Sequence, residues 1–192
     1  LSAWDAVDEA LSNVAASPGA RTGVFVGFGC APNAARRMLR ARIAQRLGLD
    51  PEGLSADAAR DAVAPPMTAD HVLWNMPNLA ANRLNVRGDF RAMGFSVMAE
   101  ESSGLQALER AMRALRSFEI DTAVVAAADL SSDLVHATAM AALGSEVAGA
   151  DGAAALILRR ASDAEARLTI LDDVEVESNP GDEDGLSAWY GQ

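Results

Sequence analysis

Residues 95–130, FSVMAEESSGLQALERAMRALRSFEIDTAVVAAADL, constrain the fold more than any other stretch of the chain. An apolar run enters at Phe95–Ala99 and is followed by a turn. A helical period then holds over 102–117. Leu105, Leu108, Ala111, Met112 and Leu115 form one apolar stripe, while Glu109, Arg110, Arg113 and Arg116 lie off it. The run at 120–130 is apolar and built of small side chains, without the alternation of a half-exposed strand. Such a run is buried on both faces, so helices must cover a parallel or mixed sheet above and below it. Strand, helix and strand in this order predict a layered α/β sandwich.

The remaining elements extend that pattern. Apolar residues at helical spacing in 3–16 predict a helix that Ser17, Pro18 and Gly19 stop. TGVFVGF at 22–28 reads as a short buried strand. Ala34–Leu47 reads as a helix with Gly48 beyond its end as the cap. Residues 48–66, rich in Asp, Ala, Gly and Pro, read as an irregular excursion. A helix capped by Thr68 is expected from Ala69 to Leu84, broken or kinked at Pro77. Residues 132–142 look helical, and Gly149–Arg159 and Leu168–Glu177 read as two strands, paired antiparallel. Residues 1–178 are thus expected to form one domain, followed by a flexible acidic tail at 179–192.

Charge and cysteine usage remove several classes of function. The formal net charge is -11, and all 16 basic residues are Arg. An acidic surface argues against binding a phosphate backbone, so no nucleic-acid partner is expected. Arg36, Arg37, Arg40, Arg42 and Arg46 share one predicted helix and read as a solvated face. Cys30 is the only cysteine, which suits a reducing compartment and reads as a small packed thiol. There is no signal-peptide pattern and no apolar run of the roughly 18 residues a membrane span needs, so a cytoplasmic location is expected. Asp172, Asp173, Glu175 and Glu177 match no cation loop and read as charge on an edge strand. GFGCAPNAA at 27–35 lacks the full dinucleotide-binding pattern. No metal or bound cofactor is expected.

Four segments together carry a family resemblance: TGVFVG at 22–27, NMPNLAANRLNVRGDF at 75–90, FSVMAEESSGLQALERAMRALRSFEIDTAVVAAADL at 95–130, and ADGAAALILRR at 150–160. In order and spacing this chain resembles the N-terminal half of a β-ketoacyl synthase of the thiolase-like superfamily. The resemblance implies an α/β fold: a thiolase-like layered α/β/α sandwich with a mixed central sheet, about half of a ketosynthase. Where an active member carries its nucleophilic cysteine, the matching position here is Glu101, followed by Ser102, Ser103 and Gly104. The AEESSGLQAL wording reads most like the cysteine-less ketosynthase-like and chain-length-factor-like domains of polyunsaturated fatty acid synthases and related polyketide synthases.

Physical chemistry agrees with a lost reaction. A thiol at a helix N-terminus is acidified by the dipole and by free N–H groups, and so attacks thioesters. The same dipole favours a carboxylate as an anion, the wrong direction for an acid catalyst. Ser102 and Ser103 have no evident base to activate them. The histidines and lysine that the family uses in its second half find no match: His71 and His136 sit in no such motif, and the chain has no lysine. The expected function is therefore a catalytically inactive ketosynthase-like domain of a fatty acid or polyketide megasynthase. Its role would be structural, in dimerisation or in carrier docking.

The resemblance also implies where partners bind. In this superfamily the strand before the nucleophile lies at the dimer interface, which makes Met76, Met93, Phe95 and Met98 the interface candidates. Other synthase domains or the missing C-terminal half, an acyl carrier protein, and a homo- or heterodimer mate are the expected partners. Phosphopantetheine would enter only as a docked carrier arm. Two alternatives stand beside this reading. One is a malonyl-thioester decarboxylase or chain-length factor that uses Glu101 in place of the cysteine. The other is an unrelated α/β small-molecule binding domain.

Overall fold

In a computed structural model, which describes residues 21–29, 33–74, 76–144 and 149–163, strand β1 (Thr22–Phe28) is central to a four-stranded sheet. The strand order is β2–β1–β3–β4, with β2 spanning Gly94–Val97, β3 Thr122–Leu130 and β4 Asp151–Arg159. β1 runs parallel to β2, pairing Phe25 with Phe95, and parallel to β3, pairing Phe25 with Val125. β4 closes the far side antiparallel to β3, with Leu156 opposite Val125. The sheet is therefore mixed.

Among the described residues six helices accompany it: α1 (Asn33–Arg46), α2 (Leu54–Val63), α3 (Ala69–Trp74), α4 (Leu79–Gly88), α5 (Ser103–Arg116) and α6 (Leu134–Ala142). Successive side chains of a strand point to opposite faces, so β1 and β3 need two covers. On one face Phe25, Ala123 and Val125 pack with Val97 and with Ala107, Ala111, Ala114 and Leu115 of α5. On the other, Val24, Val26, Val124 and Ala126 pack with Ala81 and Leu84 of α4 and with Phe90. This is the expected α/β/α sandwich with a mixed central sheet.

The sequence reading needs several corrections. The segment read as an irregular excursion contains α2. Its buried residue is Ala56, too small to give the hydrophobic contrast that marks a helix in sequence. The helix expected from Ala69 to Leu84 is two helices, α3 and α4, separated around Pro77 and extended to Gly88. Proline at 77 has no N–H to give, so the break is complete rather than a kink. The expected strand at Phe95–Ala99 is shorter and earlier, ending at Val97. The stripe of α5 is rotated: Leu105 is 52% exposed, whereas Ala107 and Ala114 are buried. Close packing against the sheet selects small residues there and turns the larger Leu105 outward.

The arginines of α1 are not simply a solvated face. Arg36 pairs with Asp133, Arg40 pairs with Asp61 and donates to the Ala64 carbonyl, and Arg37 donates to the Pro65 carbonyl. They tie α1 to the end of α2 and to the start of α6. The expected helix at 3–16, Cys30, the strand at 168–177 and the acidic tail lie outside the described residues.

Candidate functional site

The chain leaves the sheet at Val97 and enters α5 at Ser103, so the junction is one 3-10 turn, Glu100–Ser102, preceded by Met98 and Ala99. Glu100 has a left-handed backbone, φ 50°. For a residue with a Cβ this conformation is uncommon and is held by its surroundings. The holding groups are the two serines that follow. The Ala99 N–H donates to Ser103 Oγ at 2.8 Å, and Ser103 Oγ–H donates to the Glu100 carbonyl at 2.6 Å. Ser102 Oγ–H donates to the Ala99 carbonyl at 2.7 Å and accepts from Gln106 Nε2 at 3.1 Å. Ser103 is itself buried. Neither serine is therefore poised as a nucleophile; their hydroxyls are occupied in shaping the turn.

The turn is also pressed onto the sheet. A Cβ at Gly27 would run into the Ser103 carbonyl, and a Cβ at Gly104 would stand 3.0 Å from that of Ala127. Glycine at both positions lets the start of α5 seat directly on β1 and β3. The two glutamates face outward from this seat. Glu100 and Glu101 are both exposed, and neither carboxylate makes a hydrogen bond to a described residue. The arrangement presents a carboxylate at the mouth of a helix start, held by a rigid backbone and without a neighbouring base or acid bonded to it.

His71 contacts Thr68, with Oγ1 and Nδ1 3.1 Å apart, at the start of α3. His136 is exposed on α6. Among the described residues no three His, Cys, Asp or Glu side chains cluster as metal ligands, and no helix is long and apolar enough to cross a membrane.

Beside the elbow a groove of about 420 Å³ lies along β2, which is an edge strand among the described residues. Its floor is Phe25, Met93, Phe95 and Met98, and α5 contributes Gln106, Arg110 and Arg113 as one wall. The Phe25 and Phe95 rings lie 5.8 Å apart in a tilted pair. Of the four interface candidates, three line this groove. Phe95 is 48% and Met98 49% exposed, whereas Met93 is partly buried against the core. Met76 is 43% exposed but is not among the groove's lining residues. Its segment is joined to β2 where Ser96 Oγ–H donates to the Pro77 carbonyl at 2.7 Å.

Sequence reasoning misses the charged cluster at the opposite end of the strands. Arg160 donates to Asp121 at 2.6 Å, to Asp163 at 2.8 Å and to the Ile120 carbonyl at 2.7 Å. Its guanidinium also sits 4.7 Å above the Phe118 ring. Arg21 reaches Asp121 from the other side at 2.8 Å. The hydrogen bond from Arg160, aided by Arg21, holds the Asp121 carboxyl below the ordinary carboxylate range. These partners are up to 100 positions apart, so no local pattern announces them. The cluster fastens the exit of β4 to the α5–β3 connection, and its role is structural.

Comparison with known proteins follows the same lines. Residues 1–164 match the family model described as β-ketoacyl synthase, N-terminal domain. Among solved structures, the ishigamide ketosynthase/chain length factor is similar with a TM-score of 0.53 and 18% identity, over 79% of this chain and 39% of that one. A type II polyketide synthase acyl-carrier protein in complex with its ketosynthase bound to the hexaketide gives 0.52 and 17%, over 80% and 44%. The ketosynthase from module 6 of the bacillaene synthase from Bacillus subtilis 168, in a mutant form with serine in place of a cysteine, gives 0.50 and 20%, over 76% and 22%. At these identities the likeness concerns the fold. The chain spans less than half of each of these structures. No curated protein matches it.

Proposed function

The chain belongs to the β-ketoacyl synthase N-terminal domain family, and on that premise we propose that it is a non-condensing, ketosynthase-like component of a polyketide or fatty acid synthase. The observation that carries this reading is the elbow. A carboxylate, Glu101, stands at the helix start where the family resemblance puts a thiol. A carboxylate is a weak nucleophile toward a thioester compared with a thiolate. Glu100 beside it adds a second negative charge. The seat is occupied without the chemistry.

What remains is a scaffold with a contact edge. Among the described residues β2 pairs with β1 alone, and exposed Phe95 and Met98 stand over the groove beside it. Half-exposed aromatic and methionine side chains on a free strand edge favour pairing with another chain. Similar folds named above include a ketosynthase/chain length factor and a ketosynthase held with a carrier protein. By analogy this chain pairs with a second synthase chain through β2, and a carrier protein visits with its phosphopantetheine arm as the only prosthetic group. Polyunsaturated fatty acid assembly is the finer setting that the AEESSGLQAL wording favours.

Mass spectrometry tests the silent elbow. Incubated with malonyl-carrier and acyl-carrier thioesters, the chain is expected to gain no acyl adduct and to release no acetyl-carrier product. Decarboxylation that disappears in Glu101→Ala would replace this reading with the decarboxylase one. For the contact edge, Phe95→Asp is expected to abolish co-sedimentation with whichever synthase chain binds the wild type.

A further inference from the structure

We propose that the acidic segment 182–184 of this chain, with the apolar residues that follow it, lies along the outward face of α1. The arginines of α1 divide into two groups. Arg36, Arg37 and Arg40 are tied to Asp133, to the Pro65 carbonyl and to Asp61. Arg42 and Arg46 are exposed, and no described residue pairs with either. Residues four apart share one face of a helix, so Met38, Arg42 and Arg46 form a single outward row. Met38 and its neighbour Leu39 are exposed as well. Across 33–49 there is no Asp or Glu to offset this row. In the adjoining α2, Asp57 holds Arg60 and Asp61 holds Arg40.

The complement lies on the same chain. Between 172 and 184 there are seven Asp or Glu and no Arg. Asp182, Glu183 and Asp184 are followed by Leu186, Trp189 and Tyr190. This is the makeup of the α1 face with the charge reversed: carboxylates meet Arg42 and Arg46, and apolar side chains cover Met38 and Leu39. About 19 residues separate Asp163 from Asp182, and that length spans up to roughly 60 Å when extended. A folded domain of this size has a radius of gyration of only about 16 Å, so the segment can reach α1. Single exposed ion pairs are weak, but a tether raises the effective concentration of its own end. A separate acidic protein lacks that advantage, and the segment in place closes the α1 face to it.

Paramagnetic relaxation tests the contact in the full chain. A nitroxide is attached at Gln45→Cys, exposed between Arg42 and Arg46, in a Cys30→Ser background. At low salt the amide signals of 182–190 are expected to be lost. They are expected to return in about 1 M salt, where the screening length falls to about 3 Å. They are also expected to survive at low salt once Arg42→Glu and Arg46→Glu are added, while the signals of the strands keep their positions. The salt series changes neither arginine, so it decides the matter even where that variant fails to fold. Signals of 182–190 that survive at low salt without those substitutions overturn the proposal. Loss that persists in high salt or in the charge-reversed variant removes the ion pairing and overturns it as well. Equal loss in isotope-labelled chains mixed with separate nitroxide-bearing chains shows a contact between copies, and overturns it too.

Discussion

Ser103 carries the largest structural duty of any single polar side chain near the elbow. It takes the Ala99 N–H, gives its proton to the Glu100 carbonyl, and is buried while doing so. Removing its oxygen takes the acceptor from the part-buried Ala99 N–H, while the Glu100 carbonyl keeps the Ser103 backbone N–H, at a cost of about 1–3 kcal/mol. Ser103→Ala is therefore expected to lower the urea midpoint by that amount of stability. Gly27 is the complementary case. Its Cβ-free face lets the start of α5 touch β1, so Gly27→Ala forces the helix outward at about 1–3 kcal/mol, read in the same denaturation experiment. Glu101→Cys, in a Cys30→Ser background, tests the electrostatics of the seat directly. A thiol there is expected to ionise below the usual cysteine value of about 8.5 and to be alkylated by iodoacetamide faster than the same thiol in the urea-unfolded chain. Equal rates would show that the turn does not activate a nucleophile. The two glutamates are legible in sequence as oddities at a turn. The serine clamp is not, because a Ser-Ser pair reads the same whether its hydroxyls face water or close a loop.

At the scale of elements, α5 separates what periodicity predicts from what packing decides. The helix itself is plain in sequence, and it spans Ser103–Arg116. Periodicity sets its buried face one step too far round. Leu105 reads as core and is exposed, whereas Ala107, Ala111 and Ala114 lie against the sheet. Leu105→Ala is thus expected to change stability by less than about 0.5 kcal/mol, a typical surface substitution. Met112→Ala, at a buried site, is expected to cost about 2–5 kcal/mol, provided the cavity does not collapse. Thermal melts of the two variants side by side test the rotation of the stripe. Short helices are harder to read. α2 buries only Ala56, and α3 and α4 merge in sequence because Pro77 marks a disruption without stating its extent.

Across the whole molecule, the two ends of the strands serve different purposes. At the end near the elbow the chain spends glycines and serines on a turn whose carboxylates face solvent. At the other end Arg160, Asp121, Arg21 and Asp163 lock β4 to the α5–β3 connection. Asp121 and Asp163 both have folded-state pKa values below the ordinary carboxylate value, Asp121 chiefly through Arg160 and Asp163 chiefly through the Ser162 hydroxyl. A depressed folded pKa contributes stability above the unfolded value, and that contribution is lost as pH falls through the folded pKa. Stability is therefore expected to decline on acidification below the unfolded carboxylate range of about 4. Asp121→Asn should flatten that acid limb while lowering stability at neutral pH. Chemical denaturation at a series of pH values measures both effects, and an unchanged acid limb would remove Asp121 from the account.

The sequence alone determined the layered α/β class, the order of its main strands and helices, and the carboxylate at the head of α5. These are encoded locally, in periodicity, in unbroken apolar runs and in residue identity at one turn. Only the tertiary structure decided which side of α5 touches the sheet, which hydroxyls hold the elbow, and how Arg160 meets Asp121. Those depend on how closely two backbones approach and on partners far apart along the chain, which no window of neighbouring residues contains.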